Sequence, residues 1–281
     1  LRLVKYLQPR SYDLALVPHR SLRSAALTSL VGVPQRIGFN RSTGWFLMTG
    51  TVRYLKDLHE IDRNLSLLDA LPIGAWQREL PRLYPSEADR KKVDKLLIEL
   101  EVGDPKKLVA IAPGTIWNTK RWLKERFASL AVNLDDAGLE TVLIGGEDDK
   151  SLCNEIRTLS GSSRVYDTSG ALSLLQSVEL IRRCKLLVCN DSAPMHFATA
   201  VGTPVLAIFG ATVPSFGFGP TGPLDAVMEM QGLKCRPCSI HGGDKCPIKT
   251  FDCMNNISHD RVFRSAIEIM SKATGVRGAT H

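Results

Sequence analysis

The sequence predicts an α/β protein built on parallel β-sheets, and two features of the chain carry that prediction. Short apolar runs occur without alternating polar positions, as in strands buried on both faces; they are Leu108–Ala112, Leu186–Cys189 and Val205–Phe209. The first two runs each lead through a polar turn into a segment with helical periodicity. A hydrophobic fraction of 44% and a charged fraction of 23% over 281 residues indicate a globular chain with room for two domains.

The first part of the chain repeats the order strand, turn, helix. Apolar runs and β-branched residues predict its strands, while Ala- and Leu-rich or amphipathic periodicity predicts its helices. The predicted elements are strand Tyr12–Val17, helix Ser21–Leu30, strand Val33–Phe39, and helices His59–Leu71 and Glu87–Leu100.

The same order continues in the second part. Beyond the three apolar runs, the predicted elements are helix Arg121–Leu134, strand Glu140–Ile144, helix Leu172–Cys184, a helix that opens near Ser192–Pro194 and continues through His196–Val201, and helix Ser258–Ala273. The segment Gly103–Lys107 (GDPKK) is rich in glycine, proline and charge, which is typical of a domain boundary. We therefore predict a first domain over residues 1–105, a second over residues 106–260 and a final helical segment over residues 261–281.

The stretch from Leu186 to Pro220 is the most informative part of the chain. The polar turn Asn190–Ser192 follows a buried strand, Pro194 fits a first helical turn, and Gly202 is placed to end the helix. Ligands bind at the carboxyl ends of the strands in open parallel sheets, and a helix start stabilises phosphate there. The turn therefore predicts an anion site, with simple helix capping by its polar residues as the alternative.

The net charge of +7 and a pI of about 9.1 favour an anionic partner such as a phosphorylated substrate or an acidic lipid surface. A solvated basic surface is the alternative. Basic residues are not interleaved with aromatic ones, so nucleic acid is not an expected partner. No apolar run is long enough for a membrane span and the first residues do not form a signal peptide, so we expect a cytoplasmic protein.

The residues of this central stretch resemble the signature of the bacterial heptosyltransferases, glycosyltransferase family 9. Ala193 stands where the family usually has glycine, and the other signature positions are in register. Those positions are Asp191, Ser192, His196, Ala198, Ala200, Pro204, Phe209, Gly210, Thr212 and Pro214. Further segments similar to the family are YDLALVPHRSLRSA, PQRIGF, and PGTIWNTKRWL, in which Leu123 replaces a proline.

The resemblance implies the GT-B fold, in which two Rossmann-like domains face each other across a cleft and the final helix crosses back. It also implies inverting, metal-independent transfer of heptose from ADP-heptose to the lipopolysaccharide inner core, without a cofactor. The acceptor would lie at the inner membrane surface, where a cytoplasmic enzyme would be peripheral. Another GT-B sugar-nucleotide enzyme, or a chain that binds the donor without turnover, are the alternatives. A dinucleotide dehydrogenase is not expected, because no G-x-G-x-x-G follows a strand.

The family motifs also imply donor-site residues. Thr115 and Lys120 would contact the diphosphate, Glu147 the ribose hydroxyls and Leu172 the base. Residues at the start of the helix after the central strand would complete the site; they are Asp191, Ser192, Ala193 and His196. For a lysine in a loop the alternative is solvation, and for His196 it is packing within the helix.

Arg20 and Arg23 follow the first predicted strand, and in the family a basic residue at the position of Arg23 faces the anionic acceptor. An arginine side chain can donate two parallel hydrogen bonds to a phosphate group. For each of these two arginines, the alternative is a side chain that only faces solvent. Family members open with a glycine-containing loop of the kind LVIRxSxxGD, whose aspartate is taken as the catalytic base. Nothing in Leu1–Gln8 matches that loop. We therefore expect an incomplete first domain, and no catalytic residue is assigned.

Four cysteines in the C-terminal part have the spacing C-x2-C-x7-C-x6-C. They are Cys235, Cys238, Cys246 and Cys253. A zinc site is one interpretation of this group, but the second pair lacks the usual short spacing. We expect reduced cysteines in a packed loop and no metal.

Overall fold

A computed structural model describes residues 1–278 of the chain, with side chains to residue 273. The chain forms two compact units. Unit 1 comprises Leu1–Leu80 together with Ser215–Phe218, and unit 2 comprises Pro81–Pro214 and the described residues from Gly219 onwards.

Unit 1 contains a three-stranded parallel sheet in the order β1-β2-β3 within its described residues. Its elements are α1 (Arg2–Leu7), β1 (Leu14–Val17), α2 (Leu22–Val31), β2 (Gln35–Phe39), β3 (Gly50–Val52) and α3 (Glu60–Leu65). Helix α2 begins where the Ser21 side chain accepts a hydrogen bond from the Ser24 amide, and it ends at Gly32, whose φ of 84° suits glycine.

A small core and a buried arginine hold unit 1 together. Ile37, Phe39 and Leu67 form the buried cluster. The side chain of Arg63 is 3% exposed and donates to the carbonyl oxygens of three residues in the preceding loop, Leu55, Lys56 and Leu58. The 215–218 segment joins this unit through a hydrogen bond of 2.8 Å from the Glu60 amide to the Gly217 carbonyl.

Unit 2 contains a six-stranded parallel sheet in the order β6-β5-β4-β7-β8-β9 within the described chain. Numbered within the unit, this is the strand order 3-2-1-4-5-6 of the Rossmann fold. Its elements are α4 (Glu87–Glu99), β4 (Leu108–Ala112), α5 (Lys124–Asp136), β5 (Glu140–Leu143), α6 (Lys150–Ser160), β6 (Val165–Asp167), α7 (Leu174–Arg183), β7 (Leu187–Asn190), α8 (Ala193–Val201), β8 (Val205–Phe209), β9 (Ala226–Glu229), α9 (Asp252–Asn255) and α10 (His259–Gly278).

The unit 2 sheet separates two apolar cores. On one face, α5, α6 and α10 contribute buried side chains that include Phe127, Ile156 and Val262. On the other face, α4, α7 and α8 contribute buried side chains that include Leu97 and Leu180. Every residue of β4, β7 and β8 is buried, which is why these strands lack alternating polar positions.

The predicted α/β class with parallel sheets is confirmed, whereas several short elements had no signal in the sequence. Strands β3, β6 and β9 are three or four residues long and contain too few consecutive apolar residues to be recognised. Helix α1 has no buried residue and is only six residues long, which is too short for a helical period to be recognised.

The division between the units precedes the predicted domain boundary at residue 105, because α4 packs within unit 2. Val93 and Leu97 of α4 belong to the same core cluster as β4 and β7. Arg183 of α7 also pairs with Asp94 of α4. Of the predicted final segment 261–281, residues 279–281 lie outside the described chain. Among the described residues, no helix combines the length and the apolar character needed to cross a lipid bilayer.

Candidate functional site

The strand order of unit 2 creates a crevice between β4 and β7. These strands are parallel neighbours, with Ala112 opposite Cys189, and the chain leaves their carboxyl ends toward opposite sides of the sheet. Ligands of open α/β sheets bind at such a switch point. Two loops meet here, residues 113–120 after β4 and Asp191–Ser192 after β7.

An ion pair lies at this point. The Lys120 Nζ is 2.7 Å from Oδ2 of Asp191, and the two side chains are 14% and 11% exposed. The Thr212 hydroxyl donates to the same carboxylate oxygen at 2.6 Å. Because both charges are largely withdrawn from water, removing either partner would leave the other poorly compensated. Asp191 therefore orients the Lys120 side chain.

Helix α8 begins beside this pair without a side-chain cap. Ser192 occupies the N-cap position, but its side chain forms no capping hydrogen bond with the first amides of the helix. The Ser192 hydroxyl donates instead to the Asn190 carbonyl at 3.3 Å. The side chains of Asp191 and Ser192 therefore do not cap the helix, which is the alternative interpretation of this turn. The uncapped helix start is suited to an anion. Ala193 is exposed at this start, and His196 is half-buried in the first turns.

Asn190 links the two loops and had not been predicted as a site residue. It is fully buried; its amide donates to the Pro113 carbonyl at 2.8 Å, and its side-chain oxygen accepts from the Trp122 amide at 3.0 Å. One side chain thus fixes both ends of the loop that carries Lys120. The sequence offers a signal, since a polar residue that ends a buried strand needs hydrogen-bond partners.

Arg236 supports the loop after β8 and was also missed. Its guanidinium donates to the carbonyls of Gly210, Met230 and Thr212, and it pairs with Glu229 at 2.9 Å. These contacts fix the backbone at Thr212, whose hydroxyl holds Asp191. An arginine within a cysteine-rich loop gives no sequence signal for such a role.

The cysteine-containing loop packs over the Lys120 loop. The Gly243 amide donates to the Thr119 hydroxyl at 2.8 Å, and the Thr119 amide donates to the Gly243 carbonyl at 2.9 Å. A Cβ on Gly242 would lie 2.9 Å from Cγ and Cδ of Lys120, so only glycine leaves room for the lysine stem. This contact between distant segments had no signature in the sequence.

The remaining donor-side residues follow neighbouring strands along the same sheet edge. The Thr115 carbonyl, after β4, accepts from Arg121 Nη2 at 2.7 Å. Glu147, after β5, is exposed and pairs with Lys150 at 2.7 Å. Leu172, after β6, is partly buried against the core. The structure thus brings these residues and Asp191 to one edge, while their contacts with a ligand remain predictions.

The two predicted acceptor residues belong to unit 1. The Arg20 guanidinium lies over the Tyr54 ring, 4.2 Å from the ring centroid, and Arg23 is exposed on the first turn of α2. The ring holds Arg20 by a cation–π contact without using its hydrogen-bond donors.

All seven cysteines, which lie in the described part of the chain, are free. Burial raises the pKa of the Cys253 thiol to about 11. Burial also acts to raise the pKa of Cys246, but backbone amides, including those of Phe251 and Ile248, outweigh it and lower that pKa. Within the described residues, no three His, Cys, Asp or Glu side chains are grouped so that they could hold a metal ion.

A cavity of about 570 Å³ opens beside the starts of α5 and α6. It is lined by residues of both signs, among them Arg121, Lys124, Asp148 and Lys249. Neither Lys120 nor Asp191 lines it, so we place the candidate site at the ion pair, where the strand order and the helix start converge.

A comparison of the sequence with known protein families finds a match over most of the chain. The sequence profile of Glycosyltransferase family 9 (heptosyltransferase) matches residues 1–246. Lipopolysaccharide heptosyltransferase 2 of Escherichia coli strain K12 is 29% identical over 228 residues, which cover 75% of this chain and 63% of that protein. The chain thus spans less than two thirds of the length of this relative.

Two solved structures share the fold. The E. coli ADP-heptose lps heptosyltransferase II has a TM-score of 0.78 and 23% identity, covering 97% of this chain and 81% of that one. A glycosyl transferase family 9 protein from Veillonella parvula has a TM-score of 0.79 and 22% identity, covering 96% and 78%. The predicted GT-B fold class is confirmed by these likenesses.

Proposed function

Because the chain belongs to glycosyltransferase family 9, we propose that it transfers heptose from ADP-heptose to the inner core of lipopolysaccharide. Among the family's activities, the proposal is that of heptosyltransferase II, the name carried by the E. coli relative and by one solved structure of the same fold. The observation that carries the proposal is the Lys120–Asp191 pair at the Rossmann switch point, beside an uncapped helix start.

On the donor side, Lys120 and the first amides of α8 bind the diphosphate of ADP-heptose. Thr115 adds a hydroxyl from the loop after β4. As the bond to the anomeric carbon breaks, negative charge grows on the departing ADP, and fixed donors stabilise that charge in the transition state. Lys120 then exchanges part of its contact with Asp191 for the phosphate oxygens. His196 supplies a further donor from the same helix.

The nucleoside part of the donor extends along the sheet edge. The Glu147 carboxylate accepts hydrogen bonds from the ribose hydroxyls, as an acidic residue after a strand does in other Rossmann folds. The backbone at Leu172 contacts the base. Ala193, in place of the family's glycine, adds one methyl group where the phosphates approach the backbone.

On the acceptor side, Arg20 and Arg23 bind the anionic groups of the lipopolysaccharide core. Arginine suits this role because its planar donors match phosphate oxygens in pairs. The acceptor hydroxyl attacks the anomeric carbon with inversion and without a metal, as the family resemblance implies. No residue of this chain is assigned as the base that deprotonates that hydroxyl. The protein works in the cytoplasm, at the surface of the inner membrane.

Calorimetric titration tests the donor site directly. We expect ADP-heptose to bind to the wild-type chain and UDP-glucose not to bind. The variant Lys120→Ala should lose most of the affinity, whereas Lys92→Ala, which removes an exposed lysine of α4, should keep it. Equal binding of both nucleotides, or full affinity in Lys120→Ala, would contradict the proposal. Binding without turnover would identify a chain that holds the donor but does not transfer the sugar.

A further inference from the structure

The positive charge of the chain is concentrated at one end of the sequence. Residues 1–55 contain eight Lys and Arg side chains and a single carboxylate, Asp13, a net charge of +7. The remaining residues hold 28 basic and 28 acidic side chains, so their net charge is zero. The whole excess of charge therefore lies in residues 1–55, all of which belong to unit 1.

Large apolar side chains are exposed in the same region. Trp45 and Phe46, in the 3₁₀ turn between β2 and β3, are 56% and 62% exposed, with ring centroids 6.5 Å apart. Leu22 on α2 is 47% exposed. The turn lies beside this helix, since a Cβ on Gly44 would be 3.3 Å from the Leu22 Cα. We call Leu22, Trp45 and Phe46 the aromatic patch.

Arginines surround the aromatic patch. The carbonyl of Arg20 accepts from the Thr43 amide at 3.0 Å, which joins that residue to the turn, and Arg23 follows Leu22 on α2. Arg41 is exposed two residues before Thr43. Asp13 lies at the amino ends of the strands, whereas the aromatic patch follows their carboxyl ends. The Asp13 carbonyl accepts a hydrogen bond from the Gln35 amide at the start of β2.

Residues 56–80 add five carboxylates and three basic side chains, so unit 1 as a whole has a net charge of +5. Three of these carboxylates have partners other than the arginines around the aromatic patch. Glu60 pairs with Arg63, and Asp62 pairs with Arg78 at 2.7 Å. Asp69 accepts from the Trp76 indole at 2.7 Å. The arginines around the aromatic patch therefore keep their charge available to a partner.

We propose that the aromatic patch binds the surface of an anionic lipid bilayer, with Trp45 and Phe46 at the level of the headgroups. Aromatic rings favour this depth because they are apolar yet tolerate the wet interface, and flanking arginines attract acidic headgroups. A second copy of the chain fits less well, because two such patches would bring their positive charges together. The proposal specifies the membrane contact implied by the proposed function, but its test needs neither donor nor acceptor.

Vesicle sedimentation tests the proposal with the full chain. We expect binding to vesicles of phosphatidylcholine and phosphatidylglycerol, and much weaker binding to phosphatidylcholine alone. The double variant Trp45→Ser/Phe46→Ser should lower the partition coefficient by about tenfold or more, because it removes the apolar anchor. Arg41→Gln should lower it by about fivefold, since a basic side chain near an anionic surface contributes ~1 kcal/mol.

A matched control removes two apolar side chains elsewhere that are even more exposed than Trp45 and Phe46. Tyr84 and Ile98 are 75% and 76% exposed, and the variant Tyr84→Ser/Ile98→Ser should bind vesicles as the wild type does. Thermal melting of both double variants shows whether each remains folded. Unchanged vesicle binding by a folded Trp45→Ser/Phe46→Ser chain would overturn the proposal. The proposal would also be overturned if sedimentation velocity showed that the wild-type chain is a dimer, that the Trp45→Ser/Phe46→Ser variant is a monomer, and that the wild-type chain does not bind vesicles. Loss of ADP-heptose binding alone would contradict the proposed function but not the proposed membrane contact.

Discussion

At the scale of single residues, the candidate site depends on a relay of buried polar contacts rather than on Lys120 alone. Arg236 fixes the backbone of Thr212, the Thr212 hydroxyl holds Asp191, and Asp191 holds Lys120. Each step is largely shielded from water, where an interaction is strong but an unpaired group is costly. Arg236 and Thr212 therefore help to determine the position of the Lys120 ammonium group.

The substitution Arg236→Lys tests this relay. A lysine keeps the charge but cannot reach three carbonyls at once, so at least one buried carbonyl loses its donor. We expect the free energy of unfolding to fall by ~1–3 kcal/mol and ADP-heptose to bind more weakly. Urea denaturation and calorimetry measure the two effects. Arg264→Lys, on the exposed side of α10, is the control and should change neither. An Arg236→Lys chain with wild-type stability and affinity would remove Arg236 from the relay.

At the scale of elements, loops and helices that are distant in sequence hold the site in place. The loop with Gly242 covers the lysine stem, and α7 anchors α4 to the sheet. Glu179 of α7 is fully buried and accepts from Arg182 and Arg183, and Arg183 also pairs with Asp94 of α4. These contacts link elements that no local sequence pattern joins.

Two adjacent glycines provide a matched test of the loop packing. Gly242 has a φ of 88° and no room for a Cβ beside Lys120, whereas a Cβ on Gly243 would meet no atom within 4 Å. We expect Gly242→Ala to displace the lysine stem and weaken ADP-heptose binding by about tenfold, a loss of ~1.4 kcal/mol. Gly243→Ala should bind as the wild type does. Equal affinities for the two variants in calorimetry would show that the cysteine-containing loop does not position Lys120.

The buried carboxylate predicts how stability depends on pH. Burial acts to raise the pKa of Glu179, but the hydrogen bonds from Arg182 and Arg183 outweigh it and lower that pKa below its ordinary value. A lowered folded-state pKa stabilises the protein above the unfolded value of about 4.3. This contribution is lost as the pH falls through the folded pKa.

We therefore expect Glu179→Gln to reduce the free energy of unfolding at pH 7, by an amount that shrinks as the pH falls below about 4. Urea denaturation over this range measures the difference. Glu268→Gln is the control, because that carboxylate forms an exposed pair with Lys272. A difference between Glu179→Gln and the wild type that does not vary with pH would contradict the argument.

At the scale of the whole molecule, the two units differ in how well their sheets are buried. In β1, Leu14 and Leu16 are 37% and 39% exposed, whereas every residue of β4 is buried. Local opening is easiest where few apolar contacts must be broken. We expect amides of β1 and β2 to exchange with deuterium faster than those of β4 and β7, as measured by mass spectrometry. Equal protection in the two sheets would contradict this expectation.

The sequence predicted the strands and loops that form the switch point, but not what holds them. Fully apolar runs marked β4, β7 and β8, and the family motifs marked Lys120 and Asp191. The support from Arg236 and Gly242 was not predictable, because it depends on contacts between segments that are not adjacent in sequence. Gly242 and Lys120 are more than a hundred residues apart. The division between the units lies before α4 rather than at residue 105, and the contact of α4 with α7 likewise joins segments that are distant in sequence.

The short segment from Ser215 to Phe218 has a consequence for how the protein is made. It belongs to unit 1, yet the chain on both sides of it belongs to unit 2. A ribosome synthesises the chain from its amino end, so it has already produced β4 to β8 before Gly217 exists to accept from the Glu60 amide. Most of unit 1 is therefore synthesised before unit 2, but unit 1 cannot be completed until residues 215–218 have been added. The hydrogen bond between Glu60 and Gly217 cannot form while most of the strands of the unit 2 sheet are being translated.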